Sequence, residues 1–176
     1  MPRKVEVTPY DPHWKEWFFE EKERLGKVFA GDYAAIHHIG STSVEGLAAK
    51  PIIDFLIEIP NIQIADDRTV ELEGLGYTGK GENGIPGRRY FFYENREGER
   101  LYHVHIFPRG SKEIERHLAF RDYLKAFKDE AKRYGSLKME LASRYPMDID
   151  AYIDGKNALV QEMEKKAIEW RRNTTT

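Results

Sequence analysis

The sequence contains no cysteine. Disulfides, thiolate zinc sites and cysteine nucleophiles are thereby excluded, and any metal site must be built from histidine and carboxylates. No apolar run reaches the ~18 residues that a membrane span requires. A basic surplus is also missing: 28 Lys and Arg stand against 30 Asp and Glu, for a formal charge of −2. A dedicated nucleic-acid binder needs the opposite balance, so nucleic acid gains no support as a partner. The opening MPRKVEVTPYDPHW has no apolar signal core, and the expected location is cytoplasmic, with no membrane partner. What is present is 176 residues, 40% hydrophobic and 33% charged. That composition suits a soluble globular fold, and a chain of this length buries roughly 70% of its unfolded surface.

The patterning predicts one unit over 1–176, sheet-rich to about 110 and helical over about 111–172. Val5-Glu6-Val7-Thr8 alternates like a short strand. Asp11-Pro12 opens a helix that runs to Phe29 and carries Trp14, Trp17 and Phe18 as packing residues. Strands are expected at Ala34–Ile39, Ile52–Ile59, Arg89–Glu94 and Leu101–Phe107, with Asn95-Arg96-Glu97-Gly98 as a hairpin turn. A short helix is expected at Thr69–Leu75, and six glycines between Gly74 and Gly87 mark a loop-rich middle. Helical spacing covers 111–127, 129–143 and 148–172, and the tail 173–176 is expected to fray.

The chemistry concentrates in two stretches. Gly40-Ser41-Thr42 ends the first central strand, and its amides and hydroxyls suit a phosphate. A helix starting at Thr42 or Ser43 would add its positive end, and Lys50 adds a cation. Asp54 sits at the start of the apolar strand Ile52–Ile59, where a buried carboxylate needs a partner. His103 and His105 share one face of a later strand, about 6.6 Å apart. With Asp54 they form a plausible ligand set for Zn²⁺, Mn²⁺ or Fe²⁺, or one imidazole serves as a general base. Of His37 and His38, which alternate faces, His38 is favoured as facing the site. Arg88 and Arg89, beside the glycine-rich loop, could reach a phosphate, and that loop could act as a lid.

The run His38-Ile39-Gly40-Ser41-Thr42-Ser43-Val44, with Gly46-Leu47-Ala48-Ala49-Lys50-Pro51-Ile52-Ile53-Asp54, resembles the signature of the GrpB family. Tyr102-His103-Val104-His105 resembles its His-x-His strand. Phe120-Arg121-Asp122-Tyr123-Leu124, Tyr134 with Leu137-Lys138, and Tyr152 with Lys156 resemble its helical blocks. The resemblance implies an α/β (α+β) fold: a mixed sheet of the nucleotidyltransferase type, with an N-terminal helix and C-terminal helices packed on it. It also implies nucleotide or coenzyme chemistry, because some relatives are fused to dephospho-CoA kinase, and hence a possible link to coenzyme A biosynthesis. Glu45 and Lys128 depart from the family pattern at positions away from the expected ligand.

The wider nucleotidyltransferase pattern places Gly-Ser before two carboxylates at i and i+2. The gap of 12 residues between Ser41 and Asp54 fits, but position 56 is leucine. Glu58 lies about 13 Å further along the strand and cannot hold the same ion. Three readings follow. In the first, a metal-dependent nucleotidyltransferase, His38, Gly40, Ser41, Thr42, Lys50, Arg121 and Lys138 bind the nucleotide. Asp54, His105 and Lys50 then carry the chemistry, with Mg²⁺ or Mn²⁺. The second is an inactive nucleotide- or coenzyme-binding module. The third is a metal-dependent hydrolase with Zn²⁺ or Mn²⁺ on Asp54, His103 and His105.

Overall fold

A computed structural model describes residues 4–174. They fall into two compact units, one of residues 13–39 and 52–114, the other of residues up to Pro12, Gly40–Pro51 and Glu115 onward.

The first is a sheet unit. Helix α1 (His13–Val28) precedes β1 (Ala35–Ile39); β2 (Ile53–Ile59) is followed by α2 (Gln63–Asp67), α3 (Thr69–Gly74), β3 (Tyr77–Gly79), β4 (Arg89–Glu94) and β5 (Arg100–Pro108). The five strands order as β1-β2-β5-β4-β3. β2 and β5 pair in parallel, and every other pair is antiparallel. The mixed sheet expected from sequence is therefore present. β2 is an interior strand buried on both faces, which is why it reads as a continuous apolar run: Phe55, Leu56, Ile57 and Ile59 are all fully buried. The β4–β5 turn is closed by Asn95, whose Oδ1 accepts from the amides of Glu97 and Glu99. Helix α1 covers one face with Trp14, Phe18 and Leu25, all buried. Trp17, expected to pack, is instead 40% exposed, because it falls outside the apolar stripe of α1.

The second unit is helical. A three-residue turn, Ser41–Ser43, is followed by a second turn at Glu45–Gly46. Helix α4 (Lys112–Ala126) starts in the sheet unit and continues here, followed by α5 (Lys128–Arg144) and α6 (Ile149–Thr174). Val44, Leu47, Tyr123, Leu124, Tyr134 and Met163 form its main core. No α-helix begins at Thr42 or Ser43; the turn ends at Val44 in extended backbone, so no helix dipole is built there. Val5–Thr8 is not a strand. Only Thr8 makes a bridge, to Ala49, while the Val5 amide donates to the Pro146 carbonyl. Asn173 and Thr174, expected to fray, close the last turn of α6, where the Thr174 hydroxyl donates to the carbonyls of Trp170 and Arg171. Thr175 and Thr176 lie outside the described residues. Among the described residues no helix is long and apolar enough to cross a membrane.

Candidate functional site

Strand register assembles the candidate site in the sheet unit. In the parallel pair, Asp54 aligns with His103 and Leu56 with His105. In the antiparallel pair, His105 aligns with Tyr90 and His103 with Phe92. Aligned residues share a face, so Asp54, His103, His105 and Tyr90 project from the same side. His103 Nδ1 and His105 Nε2 both lie 3.5 Å from Asp54 Oδ1. The carboxylate is 27% exposed and the imidazoles 20% and 13%. Tyr90 borders both rings, with centroids at 5.6 and 5.4 Å.

Arg88, only 6% exposed, completes this arrangement. Its Nε and Nη2 donate to the carbonyls of Glu82 and Asn83, and its Nη1 lies 3.2 Å from His105 Nδ1. A guanidinium only donates, so His105 Nδ1 must accept, and the neutral ring carries its proton on Nε2, facing Asp54. A carboxylate beside His103 Nδ1 favours the proton there. His103 Nε2 is then the lone-pair nitrogen, and it is buried without a hydrogen-bond partner among the described residues.

Burial pushes the Asp54 carboxyl upward, but hydrogen bonds from His103 and His105 outweigh it and hold the group well below the usual carboxylate range. Its folded value therefore lies below its unfolded one, and the unfolded chain binds the extra proton. The resulting stability is present above about pH 3.9 and is lost as pH falls further. Urea unfolding from pH 2.5 to 7 should show a gap between wild type and Asp54→Asn that narrows below about pH 4. A gap independent of pH would contradict this account.

The His105 tautomer also bears on metal binding. In this arrangement His105 Nε2 carries its proton toward Asp54, so a metal ion bound there would have to displace that proton. Among the described residues no group of three His, Asp or Glu side chains is arranged to hold a metal ion. Glu58 does not supply the missing carboxylate. It lies beside β1, 3.6 Å from His37.

His37, not His38, shares the face of Asp54, since His37 aligns with Leu56 and His38 with Phe55. His38 stacks on Phe18 of α1 at 4.5 Å with rings nearly parallel. Arg89 does not reach toward the imidazoles; it grips the Asp66 carboxylate at 2.7 and 3.2 Å. The loop before it is tied to β4 by two backbone bonds: the Lys80 amide donates to the Tyr90 carbonyl, and the Tyr90 amide to the Gly81 carbonyl.

Gly40, Ser41, Thr42, Lys50, Arg121 and Lys138 all belong to the helical unit. Gly40 adopts φ 73°, ψ −175°, a conformation open essentially to glycine alone. The Ser43 hydroxyl donates to its carbonyl and fixes the turn. Arg121 pairs with neighbouring Asp122 at 2.8 Å. Lys138 is 2% exposed, with its ammonium 4.6 Å from the centre of the Tyr134 ring.

A family model described as GrpB protein matches residues 4–166. The chain belongs to the GrpB family. UPF0157 protein YqkA of Bacillus subtilis is 48% identical over 170 residues, which is 97% of this chain and 49% of YqkA. The chain thus spans about half the length of that relative. A crystal structure of GrpB from Enterococcus faecalis superposes with a TM-score of 0.89 at 42% identity, covering 94% of this chain and 99% of that one. Cid1 poly(U) polymerase, with Mg 3′-dATP bound, reaches a TM-score of 0.56 at 15% identity, covering 78% of this chain and 44% of Cid1. This GrpB-family chain therefore has the fold of a nucleotidyltransferase. A dephospho-CoA kinase of Mycolicibacterium paratuberculosis is 26% identical over 193 residues, 97% of this chain and 47% of the kinase.

Proposed function

We propose that this GrpB-family chain binds a nucleotide or coenzyme-like phosphate compound and transfers its phosphorus-bearing group to a hydroxyl acceptor, with His103 as the base. The observation that carries this is the relay Arg88–His105–Asp54–His103. Its inner members hold one another's protons, and it ends in an unpartnered imidazole nitrogen. In the proposed step, the acceptor oxygen forms a bond to the α-phosphorus of a nucleoside triphosphate. The bond from that phosphorus to the leaving oxygen breaks and pyrophosphate departs. The acceptor proton passes to His103 Nε2. Asp54 orients His103 and stabilises the imidazolium that results, while Arg88 keeps His105 as a donor to Asp54. The shared fold and the likeness to a dephospho-CoA kinase support a phosphate compound as ligand.

A second reading, a binding module without transfer, is favoured by Leu56. It is fully buried at the position where a second carboxylate would stand, and two-metal chemistry needs at least two bridging acids.

Thermal-shift titration with ATP, GTP, CTP, UTP and dephospho-CoA, followed by pyrophosphate release from whichever triphosphate binds, separates the two. Transfer predicts release that falls about 100-fold in His103→Gln, with ligand affinity kept, and falls less in His105→Gln. Binding without release selects the module. No shift with any of the five compounds overturns both.

A further inference from the structure

The sheet face that carries Asp54, His103 and His105 continues across β4 to the edge strand β3. Phe92 aligns with His103 on one side and with Thr78 on the other, so its ring stands on that face. Two cations meet the ring. The Arg100 guanidinium carbon lies 3.5 Å from its centre, and Lys80 Nζ lies 5.7 Å from it. Neighbours hold Arg100 in place: Nε donates to Glu94 Oε1 at 3.0 Å, and Nη1 reaches the Tyr90 hydroxyl at 3.5 Å. Its Nη2 has no hydrogen-bond partner among the described residues, and the side chain keeps 20% of its surface exposed. Lys80 is exposed and makes no ion pair among the described residues.

The other flank of Asp54 differs. There Glu58 stands beside His37, with Leu56 between the strands' polar groups, so that flank offers a carboxylate where the Phe92 flank offers cations. Of the charged groups that touch Phe92 or Arg100, two are positive and one, Glu94, is negative. That balance suits a ligand with one anionic group and is too weak for a triphosphate. An anion against the Phe92 ring would accept from Arg100 Nη2 and from Lys80, and the nearly buried ring strengthens both contacts over their value in water. Phe92 and His103 are direct cross-strand neighbours, with Cβ atoms about 5 Å apart, so a short carbon skeleton spans the two. We propose that Lys80, Arg100 and Phe92 form a subsite for the anionic group of a small hydroxyl compound, a phosphate monoester or a carboxylate, whose hydroxyl is the acceptor turned toward His103. The inference rests on the reading that a hydroxyl acceptor is used, but anion binding at Phe92 is measurable without transfer.

Glycerol 3-phosphate, glycerate and glycerol are the probes, each titrated into the full chain by calorimetry. At least one of the two anionic compounds should bind saturably, and glycerol should not; which one binds tells phosphate from carboxylate. Affinity should fall as NaCl rises from about 0.05 to about 0.3 M. Lys80→Gln should weaken binding roughly tenfold, and Lys80→Arg should restore most of it. Lys80 is exposed, so these replacements leave the fold intact. Arg100→Lys keeps the charge but loses the planar stack and the open fork, and should weaken binding as well. If Lys80→Gln weakens binding but wild type releases no pyrophosphate from any triphosphate, the anion subsite stands and the transfer reading falls. If wild type releases pyrophosphate at a rate that neither anionic compound raises, the transfer reading stands and the acceptor subsite falls. The proposal is also overturned if neither anionic compound binds saturably, if glycerol binds as tightly, or if Lys80→Gln and Arg100→Lys both bind as wild type does.

Discussion

Phe55→Ala should lower the free energy of unfolding by about 4 kcal/mol, within the range for removing a buried aromatic ring. Phe55 is fully buried at the middle of β2. Its ring stacks on Phe18 at 5.0 Å and meets Tyr102 edge-on at 5.9 Å. Phe18 in turn stacks on His38, so this one side chain is the middle of the contact that holds α1 to the sheet. Alanine would forfeit the transfer energy of the ring and leave a cavity that two rigid rings cannot collapse to fill. Leucine would keep most of the volume and should cost about 1.5 kcal/mol. Urea midpoints for the two variants test this directly. A loss below about 1 kcal/mol for alanine would mean that α1 re-docks.

Glu21→Ala should cost about 3 kcal/mol, the scale of breaking a buried charged hydrogen-bond group. The side chain is 2% exposed, yet it lies on the sheet-facing side of α1. Its carboxylate accepts from the Tyr77 hydroxyl at 2.6 Å and from Arg24 at 2.9 Å. Burial pushes the Tyr77 hydroxyl far up, and the facing carboxylate pushes it further, so it acts only as a donor. Alanine would strand that donor out of water, whereas glutamine can still accept from it and should cost less. In a Tyr77→Phe background the stranded hydroxyl is gone, and Glu21→Ala should cost at least 1 kcal/mol less. Equal costs in both backgrounds would show that the tyrosine is not what Glu21 serves.

Long and strongly patterned elements were legible in the sequence. The apolar run after Pro51 is β2, the Asn95–Gly98 segment is the hairpin turn, and the helices after Pro108 lie where their spacing places them. Of the short elements, α3 was legible at Thr69–Leu75, whereas β3 and α2 were not. β3 has three residues, only Tyr77 of them buried, and α2 is a single turn and a half. Too few side chains are involved for any period to appear. The alternation of Val5–Thr8 was real, but it reflects two valines on a helical core: Val5 is buried with Leu141 and Tyr152, and Val7 packs against that cluster. Asp54 stood out as a carboxylate in an apolar strand, and the two histidines because two-residue spacing on a strand fixes a shared face. Which face the neighbours use was not available. Register shifts between Tyr93 and Glu94. Counting inward from the hairpin turn would pair Phe91 with His103, where the sheet pairs Phe92. The one-residue slip moves every later side chain of β4 to the other face, and with it goes the signal that would have set Tyr90 between the imidazoles. Glu21 was hidden for another reason. A charge within the apolar stripe of a helix is legible only when its partner is known.

The parallel pairing of β2 with β5 also has a kinetic side. β4 and β5 are joined by a tight turn and can meet within microseconds, whereas the β2–β5 ladder brings together segments about 50 residues apart. The β4–β5 ribbon is then the early-forming part, and its docking onto β2 is the late, entropically demanding step that sets the folding rate. Asp54 sits on one side of that late seam and both histidines on the other. The Asp54–histidine cluster thus comes into being only when the chain commits to its native topology, and forms in which β2 and β5 have not paired lack it.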